Sequence, residues 1–228
     1  SISTSFLIPQ PSTLNLNLNP QPSILNTPSH SLSLQKALSM NKNHYIAIMA
    51  GGIGSRFWPA STSHRPKQFL DILGVGKSLI QMTYERVLEL CPPERILIVT
   101  NANYKELVQE HLPEIPERNI LLEPSMNNTA PSVAYTALHL QAENPDAVFA
   151  MLPSDHVIMK EEAYRSLLIK GFEAAAETDK IITLGISPTR PDTGYGYIEL
   201  EEEGKEGIHS VRSFKEKPDI QTAEQYLE

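Results

Sequence analysis

The sequence predicts an α/β fold: a mixed, mostly parallel sheet with helices on both faces. Three observations carry that prediction. From Asn43 onward, short apolar runs of strand length alternate with segments whose apolar residues recur at helical spacing. A glycine-rich turn follows the first of those runs directly. At 228 residues, 40% of them hydrophobic, the chain suits one large or two small domains and can bury a substantial core.

In order along the chain, residues 45–49 form a buried-strand candidate, and the glycine turn comes next. Residues 78–90 place Ile80, Tyr84, Val87, Leu88 and Cys91 on one helical stripe, with a cap near Ser78. Residues 95–100 read as a strand, 103–111 as a helix and 120–122 as a short strand. Residues 129–141 are helical with an Ala/Val face, and 147–152 return as a buried strand. Residues 161–176 form a helix burying Tyr164, Leu167, Leu168, Phe172 and Ala175, and residues 181–186 form a further strand. Beyond Pro188, residues 195–200 and 209–215 flank a Glu/Gly-rich turn and predict a hairpin. Residues 221–228 read as a helix just beginning, so the chain is expected to be the N-terminal portion of something longer.

Residues 1–40 differ in kind. They are rich in Ser, Asn, Leu and Pro, and Lys36 is their only charged residue. Short apolar pieces broken by proline cannot offset the entropy of ordering. Residues 1–42 are therefore read as a disordered tail or as sequence upstream of a start at Met40, and 43–228 as the domain.

Charge and cysteine content exclude several function classes. The formal charge is −8, which argues against nucleic acid or a membrane surface as partner, because both demand a basic face. A single cysteine, Cys91, rules out a disulfide framework and fits a reducing, cytoplasmic setting. A small anionic ligand stays compatible, since no Asp or Glu precedes Asp71.

The strongest local feature is the loop Ala50-Gly51-Gly52-Ile53-Gly54-Ser55-Arg56. Glycines allow close approach of backbone to a ligand and let successive N–H groups face an anion. A dinucleotide fingerprint would need a third glycine where Phe57 stands, and Pro59 follows it. Gly76-Lys77-Ser78 imitates the end of a P-loop, but the glycine that should open the motif is Asp71. The loop's basic company, Arg56, Arg65 and Lys67 with no acid between, suits a polyphosphate.

Asp155, in Leu152-Pro153-Ser154-Asp155-His156, follows a buried strand and is placed to hold Mg²⁺ alongside phosphates. An N-cap or turn role accounts for it equally in isolation. Glu123-Pro124 and Asn127-Asn128-Thr129-Ala130-Pro131 precede a helix and could either cap it or read a base edge. Thr193-Gly194-Tyr195-Gly196-Tyr197 suits a close approach to a sugar or a plain bulge. Glu216 and Lys217 end a strand in Phe214-Lys215-Glu216-Lys217-Pro218.

Taken together and in order, these segments resemble the sugar-1-phosphate nucleotidyltransferases. Phe57-Trp58-Pro59, Arg65-Pro66-Lys67-Gln68-Phe69, Asn128-Thr129-Ala130-Pro131 and Leu152-Pro153-Ser154-Asp155-His156 narrow the resemblance to the bacterial enzymes acting on GTP and mannose 1-phosphate. The resemblance covers about residues 43–228 and implies a Rossmann-like, doubly wound nucleotidyltransferase fold. It implies GTP and mannose 1-phosphate as partners, Mg²⁺ as cofactor, and a homo-oligomer as a compatible state. It further implies catalytic roles for Arg56 and Lys67, and nucleotide binding by Gly51, Gly52, Gly54, Ser55, Glu123 and Asn128. Gly194, Glu216 and Lys217 would take the sugar phosphate, and Asp155 the metal. Two departures stand out: Asn127 replaces the usual Arg before the Asn-Thr-Ala-Pro run, and the family's second metal-binding Asp is not within these residues. The same chemistry with another nucleotide or hexose, and a non-catalytic nucleotide-binding fragment, are the competing readings.

Overall fold

In the computed structural model the described residues are 41–227 except 53, 55, 56, 125–128, 179 and 206; of the tail expected at 1–42, all but Asn41 and Lys42 lies outside them. They divide into two compact units, one ending at Ile182 and the other beginning at Thr183.

The first unit is built on four parallel strands, β1 (His44–Met49), β2 (Ile96–Asn101), β3 (Ile120–Glu123) and β4 (Val148–Pro153), in the order β3-β2-β1-β4. The strands are apolar on both pleat faces because both faces are covered. Ile46, Ile48, Ile98, Phe149, Met151 and Leu152 are at most 1% exposed. The connecting helices are α1 (Leu79–Leu88), α2 (Lys105–His111), α3 (Thr129–Glu143) and α4 (Glu161–Ala176). Neighbouring residues of β1 show that helices lie on both sides, since successive side chains point to opposite faces. The His44 ring stacks on Phe172 of α4 at 4.5 Å, while Tyr45 Oη lies 3.4 Å from Asn144 Nδ2, just past α3. Burial, and secondarily the Arg95 charge, pushes the His44 ring down to about 4, so it packs as a neutral core ring.

Helix α1 starts as its sequence suggests. Gln81 Oε1 accepts from Ser78 N at 2.9 Å and from Ser78 Oγ at 3.0 Å, reaching back over the first turn. Its stripe buries Ile80, Tyr84 and Val87, with Cys91 just beyond, while Leu88 is half-buried. On α4, Leu168, Phe172 and Ala175 are buried, whereas Tyr164 and Leu167 are only partly covered.

One expected strand is not there. Residues 181–186 carry no strand, and Ile181 and Ile186 are 63% and 56% exposed. A β-branched run makes a strand only where a neighbouring edge supplies its ladder, and among the described residues no strand pairs with this segment.

The strand order locates a crevice. The chain steps outward from β1 through β2 to β3, then crosses over β1 to β4. Loops leaving the carboxyl ends of β1 and β4 therefore diverge, the arrangement that opens a ligand crevice in such sheets.

The second unit holds the expected hairpin, β5 (Gly196–Lys205) against β6 (Ile208–Glu216), antiparallel, with register shifts on either side of Leu200. Gly207, with φ +82°, turns the chain between the strands. A short helix, α5 (Ile220–Gln225), follows, capped by Asp219 Oδ1 accepting from Thr222 N at 2.8 Å. Tyr197 is buried, and its ring lies 5.3 Å from that of Tyr226.

Candidate functional site

At the carboxyl end of β1 the chain enters the glycine loop under tight control. Ala50 N donates to Val99 O at 2.8 Å, extending the β1–β2 ladder by one residue. Buried Gln68 donates Nε2 to Ala50 O at 2.9 Å and to Gly52 O at 3.0 Å, and Thr100 Oγ1 donates to Ala50 O at 2.9 Å. With those carbonyls drawn onto interior donors, the backbone at Ala50 and Gly52 is held from beneath. Ser61 Oγ donates to Gly54 O at 2.5 Å and closes its far side.

Gly54 is required twice over. Its φ of +68° is the left-handed region, and a Cβ there would stand 2.6 Å from Lys67 Cβ and 3.2 Å from Lys67 N. The obstructing atoms are backbone or next to it and cannot swing aside. Gly54→Ala is expected to destabilise the chain by about 2 kcal/mol or more, combining left-handed strain with overpacking. Urea denaturation reads this out, and a midpoint equal to the wild type's would show that the turn tolerates a side chain.

Lys67 opens a 3₁₀ turn, Lys67–Phe69, whose Phe69 is 1% exposed. Its ammonium lies 4.5 Å from the centroid of the Phe57 ring and 3.2 Å from Asp155 Oδ2. Asp155 stands two residues beyond β4, and Met49 and Pro153 are register partners. The structure thus brings together Gly51, Gly52, Gly54, Lys67 and Asp155 at the crevice between β1 and β4. Glu123, the last residue of β3, joins this edge: a Cβ on Gly51 would stand 3.6 Å from Glu123 Oε2.

The loop after Asp155 is held by Arg86, which is 3% exposed. Its Nη2 donates to His156 O at 3.4 Å, and its Nε contacts Glu161 Oε1 at 3.3 Å. Burial pushes the His156 ring below its ordinary value. Asp155 opposes the shift, and Lys67 and Arg86 add to it. His156 is accordingly a neutral neighbour of the site. The P-loop look-alike is a closed turn, because Asp71 Oδ2 accepts from Gly76 N at 2.7 Å and Oδ1 from Val75 N at 3.0 Å.

Arg56, Ser55 and Asn128 lie outside the described residues. Gly194, Glu216 and Lys217 belong to the second unit. Gly194 N donates to Asp192 Oδ1 at 2.9 Å, so the glycine sits in a carboxylate-capped turn. Lys217 Nζ contacts Glu216 Oε1 at 2.8 Å, and Lys217 has φ +44°, uncommon for a residue with a side chain. A Cβ on Gly196 would meet Glu216 Oε2 at 2.8 Å, so glycine there makes room for that carboxylate.

Sequence reasoning did not single out Gln68, Thr100, Arg86 and Ser132 as site residues. Each acts through backbone or another side chain, and only the position of Gln68 beside Lys67 hinted at a role.

The nucleotidyl transferase family model matches residues 46–228. The chain belongs to that family. Among its curated relatives, the mannose-1-phosphate guanylyltransferase RfbM of Salmonella typhimurium is 42% identical over 184 residues, which are 79% of this chain and 38% of that protein. The alginate biosynthesis protein AlgA of Pseudomonas aeruginosa is 40% identical over 184 residues, with the same coverage of each chain. The crystal structure described as mannose-1-phosphate geranyltransferase from Thermus thermophilus superposes with a TM-score of 0.74 at 36% identity, covering 81% of this chain and 53% of that one. This nucleotidyl transferase chain spans about two fifths of the length of the curated relatives it matches. Among its described residues no helix is long and apolar enough to cross a membrane, and no three His, Cys, Asp or Glu residues gather as a metal cluster.

Proposed function

We propose that this chain carries the nucleotide-handling part of an enzyme that transfers GMP from GTP to α-D-mannose 1-phosphate, giving GDP-mannose and pyrophosphate. The observation that supports it most is the Lys67–Asp155 pair, a cation and a hard-oxygen ligand 3.2 Å apart beside the glycine loop at the β1–β4 crevice. Relatives about 40% identical and named for this activity, or for alginate synthesis, support the choice of substrates.

In this reading a phosphate oxygen of mannose 1-phosphate attacks the α-phosphorus of GTP in line. The new P–O bond forms as the bond to the β-phosphate oxygen breaks, and pyrophosphate leaves with the electron pair. Little covalent work falls to the protein, so positioning and charge stabilisation dominate. Gly51, Gly52, Gly54 and Ser55 hold the nucleotide, with Glu123 and Asn128 at the nucleoside. Arg56 holds the leaving phosphates. Lys67, steadied by Phe57 and Asp155, meets the charge that develops at the α-phosphate. Gly194, Glu216 and Lys217 hold the mannose hydroxyls and phosphate.

Nucleotidyl transferases generally use a divalent metal, and here Mg²⁺ is the proposed one. The donor set fits it: Asp155 offers one carboxylate, and Mg²⁺ needs only one or two alongside water and substrate phosphates. Bound there, it would neutralise phosphate charge. The proposed setting is cytoplasmic, in keeping with the single cysteine and the substrates, and the product would feed polysaccharide assembly.

The test is pyrophosphate release with Mg²⁺, GTP and mannose 1-phosphate, beside UTP, ATP and glucose 1-phosphate controls. Release confined to the GTP–mannose pair is expected. Release with another pair would overturn the substrate assignment, and GTP binding without release would make the chain a nucleotide-binding portion only.

A further inference from the structure

The carboxylate of Glu123 is held from one side. Ser132 Oγ, in the first turns of α3, donates to Glu123 Oε1 at 2.6 Å, the short distance typical of a hydroxyl bonded to a charged oxygen. Ser132 is 5% exposed, so this hydroxyl is fixed within the protein rather than shared with bulk water. The other oxygen, Oε2, is the one beside Gly51 of the loop. Glu123 is thereby an acceptor of fixed orientation at the carboxyl edge of the sheet, next to the backbone proposed to hold the nucleotide.

A carboxylate accepts and cannot donate. It suits a base edge that presents neighbouring donors, and guanine offers N1–H beside its 2-amino group. Hypoxanthine keeps N1–H but lacks the amino group. Adenine turns an acceptor nitrogen toward the same place, against which a fixed carboxylate is repulsive. A carboxylate free to rotate would discriminate less, because it could turn away from the wrong edge.

We propose that Ser132 is a positioning residue for base selection: its hydroxyl locks the Glu123 carboxylate so that it faces the donor–donor edge of guanine. The proposal rests on the nucleotide-binding reading above and deepens it, giving the loop edge a base preference and a residue that sets it.

The test measures dissociation constants of GTP, ITP and ATP by direct titration of the full chain, which needs no turnover. Wild type is expected to bind GTP more tightly than ITP, and ITP more tightly than ATP. Ser132→Ala is expected to weaken GTP about 10-fold and ITP less, because GTP loses two oriented contacts and ITP one, so the GTP:ITP preference narrows. Ser132→Thr, which keeps the hydroxyl, restores it. Glu123→Gln keeps a side chain that Ser132 can bond but substitutes a donor for one acceptor, and it is expected to abolish the preference while the urea midpoint stays near the wild type's. Equal weakening of all three nucleotides by Ser132→Ala, or an unchanged GTP:ITP ratio, would show a merely structural tie between β3 and α3. A wild-type chain that prefers ATP or binds no nucleotide overturns the underlying reading instead. A guanine preference that survives Ser132→Ala overturns only the role of Ser132.

Discussion

Replacing Lys67 by alanine should lower pyrophosphate release by about 10²-fold or more while leaving the protein folded, the size of effect seen when a preorganised transition-state donor is removed. The two halves of that expectation come from different magnitudes. The Lys67–Asp155 contact is partly exposed, with side chains 21% and 40% accessible, so solvent screens it and it contributes at most about 1 kcal/mol to stability. In the proposed reaction the same ammonium faces a phosphorus that gains charge, and a donor aimed at developing charge lowers the barrier by more than a screened ion pair adds to stability. Turnover and thermal midpoint measured on one preparation separate the two. A variant with near-normal turnover would remove Lys67 from the chemistry. A variant that unfolds would mean that the pair is structural.

Phe69→Ala is the second large effect, and it falls on stability. The ring is 1% exposed and packs edge-on against Tyr104 at 6.1 Å and tilted against His111 at 5.3 Å. Truncating a buried phenylalanine removes its transfer free energy and leaves a cavity, a loss of about 3–5 kcal/mol. Phe69 also follows Gln68 and Lys67 in one 3₁₀ turn, so the ring anchors the segment that braces the glycine loop. Urea unfolding should show the midpoint falling sharply with little change in slope. A loss under about 1 kcal/mol would mean that the pocket collapses around the gap or that the ring is not packed as described.

Much of this fold was legible in the sequence because its strands and helices advertise themselves. The apolar runs of β1, β2 and β4 are buried on both faces, and the α1 stripe at 80, 84 and 87 has one geometric solution. The run at 181–186 has the same composition and is no strand, since composition does not reveal whether an edge is available to pair with. The glycine loop, Lys67 and Asp155 could be named because a glycine run with basic company directly after a strand, and an aspartate just past another buried strand, are both visible in residue order. Gln68, Thr100 and Ser132 could not. A buried amide or hydroxyl shows its role only when its partner is known, and their partners lie 18, 50 and 9 residues away. Family resemblance gave Gly194, Glu216 and Lys217 to the sugar phosphate, and in the fold these residues belong to the second unit.

The pairing of β1 with β4 has a consequence for the order in which this protein becomes competent. Lys67 and Asp155 are 88 positions apart, and β4 pairs with β1 although β2 and β3 lie between them in the sequence. The closure is non-local, and its entropy must be met before the contact rewards it. During synthesis the glycine loop emerges early, whereas Asp155 follows the last strand of this sheet. A nascent chain shorter than Asp155 can possess every glycine of the loop and still lack the Lys67–Asp155 pair. The crevice between β1 and β4 thus depends on sequence-distant pairing, and under the proposed function a nucleotide would stabilise only chains that have closed their sheet.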